Sequence, residues 1–371
     1  MARYLFSSHD GFGLGHTRRN YVIARALLAA DPAAEIVLVT GLARRVAWLV
    51  CPGLSIVAVP ALVKSSEGGY AAVGMSFGRA LEERARIFAE TVSRCRPDVV
   101  VVDRHPFGIS GELRPGLEQA RAWGSRLVLG LRDILDQQAV VRLELAGAGW
   151  SDADEFFEEV LVYGQRQFCD HEAEYGLHFR PRYCGWVTSP PRWAPRERLL
   201  LAVSAGGGGD GSSVFRLGVA VVGATKWRAE FLLGPYADHT RLRPLLQGSP
   251  GRDRVGVVDE EDGCGSLFAR ASAVLQMAGY NSTFEALAAG HRPVLVPRRA
   301  PRSEQAIRAE RLAALGLADV VAEDASPAEV AALLERPRRN SPERLARSGI
   351  DLNGAPRVAA QLVELAAKVR R

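Results

Sequence analysis

Apolar and polar positions fall in blocks along this chain, and the blocks alternate between two periods. Short continuous apolar runs occur at 4–8, Glu35–Thr40, 55–59, 98–103, 126–130, Glu159–Tyr163 and 182–186. A second series runs through 199–204, 230–233, Val255–Val258, Ala273–Gln276, 293–296 and 319–324. Such runs fit strands buried on both faces of a parallel sheet. Between them the apolar residues recur at helical spacing. Tyr21, Ala24, Leu27 and Leu28 predict a helix ending near Ala30, and residues 81–95, 214–222, 326–334 and 355–369 predict others. Leu267 with Phe268, and Phe284 with Leu287 and Ala288, mark two shorter ones. Strand and helix in regular alternation predict an α/β protein with doubly wound sheets. The rhythm breaks once, at 189–198 (SPPRWAPRER), a Pro- and Arg-rich stretch that reads as a linker. The expected division is a domain over residues 1–190 and another over 191–371.

The glycines cluster where strand gives way to helix, the place where doubly wound sheets bind ligands. After the first strand comes His9–His16, HDGFGLGH. Gly11, Gly13 and Gly15 are spaced G-x-G-x-G, which is not the dinucleotide fingerprint, and no acid stands at the end of the second strand. That argues against a nicotinamide enzyme. His16, at the helix start, is either a general base for an incoming hydroxyl or a polar residue that binds backbone. Arg18 and Arg19 follow; either could meet an anion, but solvated surface arginines are the commoner case. Asp103 ends the DVVVVD strand and His105 follows it, on the same rim as His16. Asp103 has three readings: it orients a histidine, acts as an alternative base, or caps the next turn. Residues 68–78 (GGYAAVGMSFG) read as a flexible loop bordering an acceptor cleft, and the acidic stretch 152–159 as a solvated helix face.

In the second half, AGGGGDGSS at 205–213 repeats the strand, glycine loop, helix order, and no G-K-[ST] follows to make it a P-loop. The stretch 276–305, QMAGYNSTFEALAAGHRPVLVPRRAPRSEQ, supplies the other turn. Gly279 gives a tight turn, Asn281 or Ser282 is the expected cap, and Ser282 with Glu285 has capping-box spacing. Gly290 ends the helix. A helix start of this kind is a candidate anion site.

Composition narrows the class. The chain has 371 residues, 47% hydrophobic and 24% charged, with net charge +5. That is room for two ordinary domains, with no apolar run long enough to span a bilayer and no signal-peptide order at the N-terminus. Cys51, Cys95, Cys169, Cys184 and Cys264 form no CxxC pair, which points to reduced thiols in a cytoplasm and away from a disulfide scaffold or a zinc site. Mild basicity suits phosphate-bearing ligands or anionic lipid surfaces, and no basic block is long enough for nucleic acid.

AGYNSTFEALAAGHRPVLVPRRAPRSEQAIRAERLAALGLA resembles the donor-binding segment of GT-B glycosyltransferases. HDGFGLGHTRR resembles the first glycine loop of the branch that holds the peptidoglycan N-acetylglucosaminyl transferase, galactolipid synthases and antibiotic glycosyltransferases. The resemblance implies two facing Rossmann-like domains with an interdomain cleft, and a last helix that crosses back to the first domain. It implies a metal-independent, inverting transfer from a nucleotide-diphosphate sugar, UDP-sugar first, with His16 as base and no cofactor. Gly279, Asn281, Ser282 and Thr283 would meet the diphosphate, and Gly207 and Gly208 would flank the donor. Glu285 would bind the ribose, unless it serves as Ser282's capping partner. Glu304 and Gln305 would read the sugar, unless they are the first turn of a surface helix; Arg298, Arg299 and Arg302 lie nearby. Gly13, Gly15 and His105 would border the acceptor, whether lipid-linked, a polysaccharide precursor or a natural product. A cytoplasmic protein is expected, with peripheral contact at the inner membrane face for a lipid-linked acceptor. The N-terminal loop and VVDRHPFGI also resemble the UDP-sugar hydrolase of pseudaminic acid synthesis, in which His16 would activate water.

Overall fold

The computed structural model describes residues 1–9, 14–42, 51–64, 69–207, 211–234, 244–245, 248, 250–258 and 264–369. Gly11, Gly13, Gly208, Gly209 and the acidic loop 259–262 lie outside the described residues. The chain forms two compact units, Met1–Val187 with Asn353–Arg371, and Thr188–Leu352.

Unit 1 begins β1 (Arg3–Ser7), α1 (Gly15–Ala30), β2 (Glu35–Thr40), β3 (Leu54–Ala58), β4 (Leu62–Lys64) and β5 (Tyr70–Ala72). It continues α2 (Phe77–Cys95), β6 (Val99–Asp103), α3 (Arg114–Ala122), β7 (Arg126–Arg132), α4 (Gln138–Leu145), α5 (Ala153–Phe156), β8 (Glu159–Tyr163), α6 (His171–Tyr175) and β9 (Arg182–Tyr183). Its seven-stranded sheet has the order β3-β2-β1-β6-β7-β8-β9, with every pairing parallel. Unit 2 holds β10 (Leu200–Ser204), α7 (Ser212–Ala224), β11 (Arg228–Leu232), β12 (Val255–Val258), α8 (Gly265–Arg270), β13 (Ala273–Gln276) and α9 (Tyr280–Ala288). β14 (Val294–Leu295), α10 (Glu304–Ala314), β15 (Asp319–Val320), α11 (Pro327–Leu334) and α12 (Pro342–Arg347) complete it. Its sheet, β12-β11-β10-β13-β14-β15, is also parallel. In both sheets the chain runs outward from a central strand, then returns to build the other side. The switch points therefore lie between β1 and β6 and between β10 and β13, where open α/β sheets place ligands.

The continuous apolar runs follow from this burial. In β10, Leu201 and Val203 pack with Phe215, Phe231 and Leu275 on one face. Leu200 and Ala202 meet Leu267, Phe268 and Val274 on the other. Each of the Leu, Val and Phe side chains among them contributes about 1.5–3 kcal/mol relative to exposure. In α1 the buried apolar residues are Val22, Ile23, Ala24 and Leu27, whereas Tyr21 and Leu28 are half-buried. The last helix, α13 (Gly354–Val369), belongs to unit 1 and packs on α1 and beside β6 and β7. Its start is fixed by the Gly354 N–H donating to Trp186 O at 3.0 Å, and its middle by the Gln361 amide donating to Glu159 at 2.7 Å.

Several local expectations give way to the structure. The glycine-rich stretch 68–78 is not all loop. Tyr70–Ala72 pairs antiparallel with Leu62–Lys64, and α2 starts at Phe77 because Ser76 caps it by accepting from the Arg79 N–H. The expected strand 182–186 stops at Tyr183. The acidic stretch 152–159 is one short helix turn running into β8. Asp152 is held by Arg114 at 2.6 and 2.8 Å. The linker 189–198 has no helix or strand, yet its end is fastened to unit 2: Arg196 donates to Ala271 O at 2.8 Å and Glu197 accepts from Arg270 at 2.6 Å.

Candidate active site

At the switch point of unit 1, α1 begins just beyond β1, and Asp103 is the last residue of β6. His16 lies in the first turn of α1, with its Nδ1 3.0 Å from Asp103 Oδ1. Arg19, one turn on, donates to both Asp103 oxygens at 2.8 and 2.5 Å. Arg19 also stands 3.0 Å from His16 Nδ1. One nitrogen cannot donate to the carboxylate and accept from the guanidinium together. The carboxylate is the stronger partner, so Nδ1 carries the hydrogen and Nε2 the lone pair. Asp103 neither caps a turn nor suits the part of a base. It is fully buried, and although burial alone would raise its pKa, the charges and hydrogen bonds of Arg19 and His16 hold it at about 2. The helix α1 is seated by polar bonds that fix its rotation: Asn20 donates to Ser8 Oγ at 2.8 Å and Thr17 meets Thr40 at 2.8 Å.

Arg19 corrects the expectation of a solvated arginine. It is 2% exposed, its guanidinium lying 5.1 Å from the centre of the Tyr163 ring. At Gly15 an added Cβ would meet nothing within 4 Å among the described residues beyond its chain neighbours.

The sequence reading passed over His9. Its ring stands 4.5 Å from that of His105 and 6.0 Å from that of His16, centre to centre. His9 Nε2 is 3.2 Å from the Tyr70 hydroxyl. Burial, then the charge of His16 when its ring is protonated and those of Arg104 and Arg84, push its pKa well below the ordinary histidine value. His9 is thus a neutral hydrogen-bonding group at neutral pH. Arg104 has a φ of 82°, a left-handed conformation that non-glycine residues rarely adopt. It is held there by its N–H donating to Gly130 O at 2.9 Å and its guanidinium donating to Glu144 at 2.9 and 2.7 Å. His105 Nδ1 lies 3.7 Å from the same carboxylate. His16, Asp103 and His105 are therefore brought together, with His9, Arg19 and Tyr70 among them.

Unit 2 gathers a second group at its own switch point. The helix α9 starts at Tyr280, earlier than the sequence suggests. Gly279 precedes it, with no side-chain cap. Asn281 and Ser282 lie inside the first turn, so the Ser282–Glu285 capping box does not form. The first intrahelical bond is from the Thr283 N–H to Gly279 O at 3.1 Å, and amides before such a bond have no partner within their own helix. Ser282 lies between the two turns. Its Oγ would be 3.5 Å from a Cβ on Gly279 and 3.9 Å from one on Gly206. Gly206 has a φ of 64°, and the loop beneath it is closed by Gly234, where a Cβ would come 2.2 Å from Gly206 O. Gly207 is part of this turn.

Thr283 and Glu285 are buried, as are Glu304 and Gln305 at the start of α10. A surface helix is therefore excluded for this pair. Arg298 ties both down: its guanidinium donates to Glu304 at 2.8 Å and its N–H to Gln305 Oε1 at 3.4 Å. Arg308 is a further residue the sequence did not single out. It is buried in α10 and donates to Ala278 O at 2.8 Å, stitching that helix to the turn before α9. Among the described residues, no three potential ligands gather to hold a metal ion, and no helix is long and apolar enough to cross a membrane.

No protein-family model matches the sequence, and no curated protein matches it. Solved structures do, along the whole chain. The calicheamicin glycosyltransferase CalG4 is 22% identical, with 100% of this chain and 99% of CalG4 covered and a TM-score of 0.62. MurG of Acinetobacter baumannii is 14% identical, with 99% of each covered and a TM-score of 0.56. The glycosyltransferase VinC, solved with dTDP, is 15% identical, with 99% of this chain and 100% of VinC covered and a TM-score of 0.62. The fold is therefore of the GT-B type, built from two Rossmann-like units. The expected resemblance to GT-B glycosyltransferases holds at the level of the fold.

Proposed function

We propose that the protein is an inverting, metal-independent glycosyltransferase that moves a sugar from a nucleotide-diphosphate donor, UDP-sugar first, to an acceptor hydroxyl. The observation that carries this reading is the His16–Asp103 hydrogen bond of 3.0 Å at the switch point of unit 1. His16 Nε2 takes the hydroxyl proton as the acceptor oxygen bonds to the anomeric carbon, and the bond from that carbon to the diphosphate oxygen breaks. Asp103 holds the imidazole ring and stabilises the imidazolium that forms. His9, His105, Tyr70 and the 13–15 loop border the acceptor.

Unit 2 holds the donor. Charge on the departing diphosphate meets the first-turn amides at 280–283 and the turn at Gly206 and Gly207, a field in place before the reaction. Glu285 takes the ribose hydroxyls, and Glu304 with Gln305 the sugar. The positive end of α9 does the work for which a cation would otherwise be needed. The likeness to CalG4 and VinC supports glycosyl transfer, and the dTDP held by VinC makes dTDP-sugars the second donors to try. All five thiols are free, which fits a reducing cytoplasm.

The test is transfer from UDP- and dTDP-sugars to a panel of acceptor alcohols in excess EDTA, with the anomeric configuration of the product read by NMR. Inversion with undiminished rate supports the reading. Retention of configuration, or activity abolished by EDTA and restored by a divalent cation, overturns the mechanism.

A further inference from the structure

A cavity of about 650 Å³ opens in unit 2, away from any residue assigned to transfer, lined by Ala314, Leu315, Arg339, Ser341, Arg344, Arg347 and Ser348. Three arginines converge there and no carboxylate lines it. None of the three guanidinium groups has a salt bridge or hydrogen bond among the described residues. Two lie against backbone. Arg339 lies over Gly290 and Arg344 over Gly316, each close enough that a Cβ on the glycine would come 2.7 or 2.8 Å from the guanidinium nitrogen. Both glycines have positive φ and follow the C-terminal ends of α9 and α10, where a cation is favoured. That explains why Arg339 and Arg344 stand there; the carboxylate beside the cavity is that of Glu343, which bonds to Ser341 and makes no salt bridge to any of the three among the described residues.

We propose that this cavity is a binding site for a phosphate-bearing anion of diphosphate size. Guanidinium forks match phosphate oxygens two at a time, and charge-assisted bonds from three of them exceed what one neutral acceptor would gain. The Ser341 hydroxyl accepts from the Arg344 N–H at 3.2 Å and donates to the Glu343 carboxylate, so the arginines alone would hold the anion. Ala314 and Leu315 give one apolar wall, and the volume is that of a small-molecule pocket. The site sits at the far ends of the two helices whose starts carry the proposed donor residues, so its ligand is distinct from the donor. A free diphosphate and an anionic lipid headgroup share the required chemistry.

The experiment titrates inorganic pyrophosphate into the full-length protein by calorimetry, in chloride buffer with UDP at saturation. R344Q and R347Q run alongside; both positions are exposed, and melting temperature confirms that the variants fold. The expected result is pyrophosphate binding that each substitution weakens about tenfold while UDP affinity is unchanged. Pelleting with phosphatidylglycerol vesicles, against phosphatidylcholine, separates the sources. Vesicle binding lost in both variants assigns the headgroup, and pyrophosphate binding without vesicle binding assigns the free anion. Equal pyrophosphate affinity in wild type and variants overturns the proposal. So does affinity no greater than for sulfate at matched ionic strength, which marks an adventitious ion only.

Discussion

Arg19 grips Asp103 with one guanidinium nitrogen on both carboxylate oxygens, at 2.8 and 2.5 Å, and does so 2% exposed. The carboxylate that orients His16 is thus itself oriented from behind. Arg19→Met leaves a buried charge uncompensated and should lower stability by about 3–5 kcal/mol. Arg19→Lys keeps the charge without the planar fork and should recover most of the stability but less of the rate. The check is a split of kcat from donor KM: kcat falls in both variants and KM stays near wild type. A loss confined to melting temperature would make Arg19 merely structural.

His16→Ala should lower kcat by roughly 10²–10⁴-fold, the usual worth of a positioned general base. Donor affinity, measured by calorimetry with UDP, should hold. If the donor is consumed equally fast without acceptor as with it, wild-type protein is a hydrolase in which His16 activates water.

Glu285 lies buried within α9 rather than capping it. Glu285→Gln should weaken nucleotide binding about tenfold, the loss of one charge-assisted hydrogen bond to a ribose hydroxyl, and leave the helix intact by circular dichroism. Unchanged affinity for both UDP and dTDP would remove Glu285 from the donor site.

Stability should fall in two steps on acidification. Burial lowers the pKa of His291 to about 4, and burial also lowers those of His9 and His171. The unfolded chain takes up these protons first, near pH 6.5. Stability is therefore full above that pH and declines below it by up to about 1.4 kcal/mol per pH unit for each histidine. For His291 the decline ends near pH 4. H291Q, whose amide can still donate to Phe268 O as the imidazole does at 2.7 Å, should flatten the curve by one such share. Asp103 acts later: its folded pKa of about 2 lies below the ordinary 3.8, so its contribution is present above that ordinary value and is lost as pH falls toward 2. Urea titrations at half-unit pH steps read both windows.

Two glycines should respond oppositely to the same substitution. Gly234→Ala puts a Cβ 2.2 Å from Gly206 O and must displace the Gly206–Gly207 turn, so donor affinity should drop together with melting temperature. Gly15→Ala meets nothing within 4 Å among the described residues beyond its chain neighbours and should leave turnover within about twofold of wild type, a surface change of less than ~0.5 kcal/mol. Loss of activity in Gly15→Ala would show that bare backbone is needed there.

The strands were the most legible part of this chain. Buried parallel strands are apolar without interruption, and Glu35–Thr40 and Glu159–Tyr163 could be read to the residue. Helix starts were less so. Polar residues at 281 and 282 looked like caps, yet Gly279 begins α9 because its backbone can turn without a side-chain bond. The Tyr70–Ala72 strand hid in a glycine-rich stretch, since its support comes from Leu62–Lys64 and not from its own pattern. His16, Asp103 and His105 were visible because the strand ends that carry them were visible. Arg19, His9 and Arg308 were not, for their roles come from burial against partners far along the chain, which no local spacing encodes. A turn-by-turn reading of α1 offered one clue: Arg19 follows His16 by three residues and so shares its face.

The return of α13 to unit 1 has a consequence for biosynthesis. Unit 2 is spliced into unit 1, and α13, which follows it in the chain, packs on α1, which precedes it. Until it emerges, the flank of α1 stays open to solvent, so the helix that bears His16 and Arg19 is covered last. Chains stalled or clipped before Gly354 would complete the inserted unit while leaving the base-bearing one as an aggregation-prone intermediate. Completion of α13 is thus a condition for the proposed chemistry, and changes in α13 touch the support of the helix that carries the proposed base.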